Sequence, residues 1–289
     1  MGEMIYIPTT LEEALRIRKE TGAHLLAGGS DIMVQGKRGI GLHPELPYPV
    51  MIITSIPELK GITDNGDGTV TIGALTIPSE IASSNIVPWH VRKAAAGMGA
   101  IALRNTATIG GNIGNASPKG DLPQPLILLD AEVVLSSESG ERRMLLDDFI
   151  LGAKKTALRE DEIIKGVVIP AHSFTYSYYR KIGMRRANAI SKLSLSAAAV
   201  VKDGEIIDFR ASSGAAGPKV IRSREAENIL KGHMVAELPE LKESFLSAWN
   251  DAISPHAMPE YRRHTTRRML EYFIDEIIRG AEPGIIGED

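Results

Sequence analysis

Two segments of this 289-residue sequence combine paired glycines with small polar side chains. The first covers residues 27–31 (AGGSD) and the second residues 109–113 (IGGNI), and each follows an apolar stretch. Glycine has no Cβ, so consecutive backbone N–H groups can point at one place and hold an anion, above all a phosphate. Two such segments that converge would offer donors from two sides, which suits a pyrophosphate. Ser30, Thr108 and Asn112 add side-chain donors that need little space.

The same residues also fit two ordinary glycine turns, because glycine pairs are common turn signals. Neither segment has the G-x-G-x-x-G spacing that opens a helix after the first strand of a dinucleotide-binding fold. No Gly-Lys-Ser or Gly-Lys-Thr of a phosphate-binding loop occurs either. A nucleotide site in this protein therefore belongs to a different fold.

Other kinds of chemistry find little support in the composition. The sequence has no cysteine, which excludes disulfides, thiolate nucleophiles, iron–sulfur clusters and cysteine-based zinc sites within it. The seven histidines are not at metal-ligand spacing, and no Ser-His-Asp set is evident, so we assign neither a metal site nor a catalytic residue. A net charge of −3 gives no reason to expect nucleic acid or an anionic membrane as partner. Without a recognisable signal peptide or membrane span, a cytoplasmic protein is expected.

The glycine segments lie among helices and strands that local patterns predict. A helix capped by Thr9 or Thr10 and ended by Gly22 precedes the first segment, and a short apolar helix over residues 122–130 follows the second. Strands and helices alternate irregularly up to residue 170. Beyond it, antiparallel strands that turn at residues 203–204 are followed by three helices, over residues 224–231, 238–252 and 259–280. This change in the pattern of predicted strands and helices indicates a domain boundary near Ala171.

Three motifs in order resemble the FAD-binding subunit, or domain, of the molybdenum hydroxylases, the family of the xanthine dehydrogenase and carbon monoxide dehydrogenase medium subunits. They are LLAGGSDIMVQGK, LRNTATIGGNIGNASPKGDLPQPLILLDAEVVLSS and MRRANAISKLSLSAAAVV, and the resemblance covers essentially the whole chain. It implies an α+β fold with a two-part FAD-binding domain of the vanillyl-alcohol-oxidase-like (PCMH) type over residues 1–170. Subdomains of about 1–57 and 58–170 are expected, then a smaller α+β domain over residues 171–280 and a loose tail over residues 281–289.

The resemblance also implies a set of residues that bind FAD without a covalent link. Asp121 is expected to accept hydrogen bonds from the ribityl or ribose hydroxyls, although it also fits the N-cap of the helix that follows. Lys192 matches a lysine that reaches the flavin from the C-terminal domain, although most lysines on strands are simply exposed. Met98 stands where some members place an aromatic ring, and Ile164 is expected beside the flavin. The full implied set is His24, Leu25, Leu26, Ala27, Gly28, Gly29, Ser30, Asp31, Ile32, Met98, Thr108, Ile109, Gly110, Gly111, Asn112, Asn115, Ser117, Asp121, Ile164 and Lys192.

The resemblance also implies a function: the chain would be the flavoprotein subunit of an oxidoreductase. The whole oxidoreductase complex would be a dimer of heterotrimers. A molybdopterin in a large subunit oxidises the substrate, and electrons pass through a small [2Fe–2S] subunit to FAD and then to NAD, a quinone, oxygen or another acceptor. The absence of cysteine agrees with clusters that belong to a partner. Two alternatives stay open: a stand-alone FAD-dependent oxidoreductase of the wider superfamily, and a flavin-free nucleotide-binding or scaffold protein.

Overall fold

The computed structural model of the chain describes residues 4–39, 46–185 and 188–287. The strands of this part are β1 Ile5–Tyr6, β2 His24–Leu26, β3 Val50–Ile52, β4 Ile62–Asp64, β5 Thr69–Gly73, β6 Glu132–Ser137, β7 Gly140–Leu145, β8 Ile150–Gly152, β9 Lys155–Thr156, β10 Ile163–Pro170, β11 Tyr176–Gly183, β12 Ser191–Lys202, β13 Glu205–Gly214 and β14 Gly284–Ile285. The helices are α1 Leu11–Thr21, α2 Ile32–Gln35, α3 Pro78–Ser83, α4 Trp89–Ala96, α5 Ile101–Arg104, α6 Ile109–Gly114, α7 Pro123–Leu128, α8 Leu146–Phe149, α9 Arg224–Asn228, α10 Leu238–Ala252 and α11 Pro259–Ile278.

The N-terminal layer is a three-stranded parallel sheet in the order β1-β3-β2, with helix α1 beside it. Helix α1 begins as predicted, because the Thr10 hydroxyl accepts the N–H of Glu13, and it ends at Gly22, which has φ +63°. Within the apolar run of residues 50–56, only Val50–Ile52 forms a strand that pairs with neighbours. The first glycine segment directly follows β2 of this layer.

The second layer is a five-stranded antiparallel sheet in the order β4-β5-β10-β6-β7. Two hairpins, β4–β5 and β6–β7, lie at its edges, and helices α3 to α8 lie between its strands in sequence. Its core is the largest of the described residues and takes in Ile109 and Ile113 of α6 together with Ile164 of β10. The apolar residues of α6 thus anchor the second glycine segment to this sheet.

The C-terminal layer is a four-stranded sheet in the order β13-β12-β11-β14, hereafter the C-terminal sheet, with helices α9, α10 and α11 packed on it. The predicted strands and all three predicted helices are present. The prediction of a loose tail is wrong for residues 284–287: β14 pairs in parallel with β11, and the Ile286 side chain is only 5% exposed. Burial of this one large apolar side chain gives the segment a reason to be ordered.

Candidate functional site

The structure brings the first glycine segment into contact with residues 106 and 107, just before the second segment. A Cβ placed on Gly28 would lie 1.8 Å from the carbonyl oxygen of Thr106 and 3.2 Å from the Cα of Ala107. Only glycine fits this approach of one backbone to another. The N-terminal layer and the second layer therefore meet at the place that the sequence marks as a candidate anion site.

The first segment presents free backbone donors. It connects β2 to the single-turn helix α2, and Gly29 has φ +68°, which is a left-handed conformation that favours glycine. Among the described residues, the N–H groups of Gly28, Gly29, Ser30 and Asp31 find no protein acceptor. Four consecutive unpaired donors at a loop surface form a concave site for an anion. Anion binding by this segment stays a prediction.

The second segment differs from the prediction. It forms the first turns of α6, and its backbone donors are already used: Ile109 N–H donates to Thr76 O, Gly110 N–H to Ala74 O and Gly111 N–H to the Thr108 hydroxyl. The expectation that this segment is a second cluster of free N–H groups is therefore wrong. Its glycines serve packing instead, since a Cβ on Gly110 would lie 2.7 Å from the Cβ of Ala74.

A cavity of about 710 Å³ opens where the segments meet. This volume is within the usual range for small-molecule and cofactor sites, roughly 300–1,000 Å³. Lys60 contributes a positive charge that no carboxylate of the described residues neutralises by a salt bridge. The lining residues are Ala27, Gly28, Thr54, Lys60, Gly61, Ile62, Leu75, Ile77, Glu80, Asn105, Thr106 and Thr108. The free donors, the lysine and the apolar walls together suit an anionic ligand with an apolar part, as a flavin dinucleotide is.

A second lysine joins the first glycine segment to the stretch after the second. The Lys154 ammonium lies 3.2 Å from the Asp31 carboxylate and also donates to the side-chain oxygen of Asn115. Asp31 additionally accepts from the Gln35 amide. The ion pair is exposed, so its contribution to stability is small. Its relevance is positional, because it brings together two residues of the implied cofactor set.

Asp121 is the most buried carboxylate of that set, at 8% exposure. One carboxylate oxygen accepts from the Lys181 ammonium at 2.9 Å, and the other accepts from the Ser191 hydroxyl at 2.8 Å. Burial raises the pKa of the Asp121 carboxyl, while the charge and the hydrogen bonds of its two partners oppose that rise. A carboxylate offers about four lone-pair positions, so two remain for a ligand hydroxyl.

The alternative interpretation of Asp121 as a helix N-cap is wrong. Helix α7 has Leu122 at its N-cap position, and no side chain caps it. The lysine that reaches Asp121 from the C-terminal sheet is Lys181 of β11, which sequence reasoning missed. Lys192, on β12 directly after Ser191, is half-buried, and its side chain makes no hydrogen bond or ion pair to any described residue. Its predicted contact with the flavin stays a prediction.

The other implied residues are spread around this centre. Met98 and Ile164 are buried in the core of the second layer and do not line the cavity, so their proximity to a flavin stays a prediction. The His24 ring stacks on Tyr48 with centroids 3.8 Å apart. The Ser117 hydroxyl accepts the N–H of Lys119, which leaves its own proton available. Leu25 and Leu26 belong to β2, and Ile32 begins α2.

Sequence reasoning missed most of the cavity wall. Lys60 lies in a connection without a recognisable motif, and Thr54 and Glu80 belong to a turn and to α3. Asn105 and Thr106 lie within the second of the three motifs, just before its glycine segment, but were not predicted to line a site. Within residues 4–39, 46–185 and 188–287, no group of three histidine, cysteine or acidic residues could hold a metal ion. No helix in these ranges is long and apolar enough to cross a membrane.

Comparison with known proteins identifies two adjacent family matches that together cover most of the chain. A family profile described as FAD binding domain in molybdopterin dehydrogenase matches residues 2–172, and one described as CO dehydrogenase flavoprotein C-terminal domain matches residues 177–277. The chain is 34% identical to the nicotinate dehydrogenase FAD-subunit of Eubacterium barkeri, over 96% of this chain and 97% of that one. It is 29% identical to the xanthine dehydrogenase FAD-binding subunit of Escherichia coli O157:H7, over 94% of each.

Solved structures agree with these sequence matches. A chain of carbon monoxide dehydrogenase from Hydrogenophaga pseudoflava superposes with a TM-score of 0.84 and 25% identity, over 95% of this chain and 96% of that chain. A chain of quinoline 2-oxidoreductase from Pseudomonas putida 86 superposes with a TM-score of 0.83 over 97% of this chain and 98% of that chain. At 19% identity, the second likeness concerns the fold alone.

Proposed function

The chain belongs to the family of FAD-binding medium subunits of the molybdenum hydroxylases, and we propose that it holds FAD non-covalently where its two glycine segments meet. It is the flavoprotein subunit of an oxidoreductase, and FAD is its cofactor. The observation that carries the proposed placement is the row of four unpaired N–H groups at Gly28–Asp31 beside a cavity of about 710 Å³.

In this placement the protein binds FAD and orients it, and different residues contact different parts of the cofactor. The N–H groups of the first segment hold the pyrophosphate, and Lys60 adds positive charge at the cavity. Thr108 and Gly110 fix the wall on the opposite side through the packing of α6. The remaining acceptor capacity of Asp121 serves the ribityl or ribose hydroxyls. When bound, FAD supplies the electron-transfer chemistry between a donor cluster and an acceptor such as NAD, a quinone or oxygen.

The proposal includes two partner subunits. A large subunit with molybdopterin oxidises the substrate, a small subunit with [2Fe–2S] clusters delivers the electrons, and the complex is a dimer of such heterotrimers. The cysteine-free sequence supports this division of labour, because thiolates are the usual ligands of such clusters. The proposed division of the chain itself is a FAD-binding domain over residues 1–170 and a C-terminal domain over residues 171–280.

The visible absorption spectrum of the purified chain tests the proposal, measured before and after denaturation with the released cofactor identified. We expect about one FAD per chain, released without a covalent remnant. A protein that is colourless and also takes up no added FAD contradicts the proposal and favours a flavin-free scaffold. A denatured chain that retains the flavin contradicts the non-covalent attachment.

The assembly is tested by affinity purification of the tagged chain from its native cell, with iron and molybdenum measured in the eluate. We expect both metals to co-elute with two further chains. A flavin-containing chain that elutes alone and turns over a substrate by itself would favour the stand-alone oxidoreductase.

A further inference from the structure

One helix of the second layer is held along its whole length by the C-terminal sheet. Helix α7 begins two residues after Asp121, whose remaining acceptor capacity the proposed function assigns to FAD hydroxyls. In its first turn, the fully buried Gln124 amide donates to Ser212 at 2.7 and 2.8 Å and accepts from the Ser196 hydroxyl at 3.1 Å. The C-terminal sheet therefore fixes the rotation and the translation of this helix.

The end of α7 is fixed by charge. Arg222, which lies beyond β13, donates to the carbonyl oxygens of Ile127 and Leu128 at 2.9 and 3.1 Å and pairs with Asp130 at 2.8 Å. An arginine at the last carbonyls of a helix satisfies groups that have no partner within the helix. Arg210 and Arg224 also pair with Asp130.

The start of α7 is fixed through Asp121, where the helix meets the proposed cofactor segment. Lys181 extends from β11 and donates both to Asp121 and to the carbonyl oxygen of Gly97 at 3.0 Å. Ser191 of β12 holds the other carboxylate oxygen. All three side chains are largely buried, and the Lys181 side chain is only 11% exposed. A buried ion pair of this kind fixes geometry more than it stabilises the fold.

We infer that Lys181 is a positioning residue for the cofactor: with Ser191 it keeps the Asp121 carboxylate charged and aimed at the ligand hydroxyls, so that the C-terminal sheet sets the affinity for FAD. The inference rests on the proposed function, since Asp121 has this task only if FAD lies against residues 112–121. It differs from the contact implied for Lys192, because Lys181 acts through another side chain.

The groups around Asp121 give the inference a specific pH signature. Lys181 carries the positive charge, Ser191 is neutral, and among residues 4–39, 46–185 and 188–287 the other titratable group coupled to Asp121 is Tyr179. Burial and the charge of Asp121 raise the pKa of Tyr179, so it stays protonated at neutral pH. Without Lys181, the desolvated Asp121 carboxyl would take up a proton at a higher pH than in the wild type.

The test compares Lys181→Met with the matched control Lys202→Met, which removes an exposed lysine from the far end of β12. Flavin-free protein is titrated with FAD from pH 6 to pH 8.5, and bound flavin is followed by fluorescence. For Lys181→Met we expect affinity about 10-fold lower at pH 6, with much of the loss recovered at pH 8.5, because a charged acceptor binds a hydroxyl more strongly. The wild type and Lys202→Met should stay flat.

The pH dependence is assigned by adding Asp121→Asn to Lys181→Met. The double variant has no group to titrate at this place, so its FAD affinity should be uniformly low over the same pH range. Lys181→Arg keeps the positive charge and should restore a flat profile. A Lys181→Met protein that binds FAD as the Lys202→Met protein does, or an affinity loss without pH dependence, overturns the inference.

If Lys181→Met does not fold, Ser191→Ala replaces it as the milder perturbation. It removes one hydrogen bond to Asp121 and should weaken FAD binding several-fold at pH 6, whereas an unchanged affinity overturns the inference. Wild-type protein that binds no FAD refutes the proposed function and the inference with it. If the wild type binds FAD and the Lys181 variant binds it equally well, the inference is refuted but the proposed function stands.

Discussion

Gly28→Ala is the substitution that probes the meeting of the two glycine segments most directly. The added Cβ would lie 1.8 Å from the carbonyl oxygen of Thr106 and 2.7 Å from its carbonyl carbon. Carbon and oxygen atoms that touch without a bond are about 3.3 Å apart, so the two backbones must separate by roughly 1.5 Å. No flexible side chain is available to absorb this movement, because the clashing atoms belong to the main chain.

The separation changes the direction of the donors next to the substituted residue. A hydrogen bond from an N–H group to a charged acceptor contributes about 1.5–3 kcal/mol. Misalignment of one such bond therefore lowers FAD affinity by about 10- to 150-fold. The clash involves main-chain atoms and lies outside the apolar cores of the three layers, so Gly28→Ala should lower stability while these cores persist.

The assay is a FAD titration of flavin-free protein, followed by fluorescence, beside a urea unfolding curve for each variant. Gly152→Ala is the control, because a Cβ on Gly152 meets no atom within 4 Å. We expect Gly152→Ala to bind like the wild type, and Gly28→Ala to bind at least about 10-fold more weakly, with a lower unfolding midpoint but a folded protein in the absence of urea. Equal FAD affinities for the two variants would refute the assignment of the first glycine segment to the cofactor.

Two further predictions concern buried charged and titratable groups. Glu227 is fully buried and pairs with Arg222 at 2.8 Å, so Glu227→Ala should lower the free energy of unfolding by about 3 kcal/mol in urea titrations. His90 is also buried, 3.3 Å from the Ala197 carbonyl oxygen, and burial lowers its pKa to about 4. Its unfolded pKa is about 6.5, so the unfolded state alone takes up a proton as the pH falls below that value. Stability should therefore be complete above pH 6.5 and fall by about 2 kcal/mol on going to pH 5, and His90→Gln should show a smaller fall.

Each of these has its own control. Glu225→Ala removes an exposed carboxylate from the same helix and should change the free energy of unfolding by less than about 0.5 kcal/mol. Equal costs for the two glutamates would contradict the importance of burial at Glu227. For His90, the same pH dependence in the wild type and in His90→Gln would mean that other groups cause the acid destabilisation.

The local patterns of the sequence predicted most helices and strands correctly because short-range physics decides them. Thr10 caps α1 and Gly22 ends it, and the strands that turn at residues 203–204 pair as β12 and β13. The prediction of a loose tail was wrong for a physical reason. Two residues of β14 carry no strand signal by themselves, and their order comes from the edge of β11 and from the burial of Ile286.

The geometry of the candidate site was predicted in part, and the division follows from the range of the interactions involved. The first glycine segment needs only its own backbone conformation to offer free donors, so the motif was sufficient. The second segment looks alike in sequence, yet Ala74 and Thr76 occupy its N–H groups. Those acceptors lie more than thirty residues away along the chain, and no local pattern connects them with the motif.

The sequence by itself determined the family, the cofactor and the residues that must be small. The glycine positions and the order of the motifs can be read directly from it, without knowledge of tertiary contacts. The tertiary structure decided which charged groups meet. Lys181 and Lys192 are both strand lysines of the same sheet, and only the pairing of β11 with β12 and the packing of α7 bring Lys181 to Asp121. Such a choice depends on the direction in which each side chain leaves its strand and on the layer packed against it, and neither is encoded within a few residues.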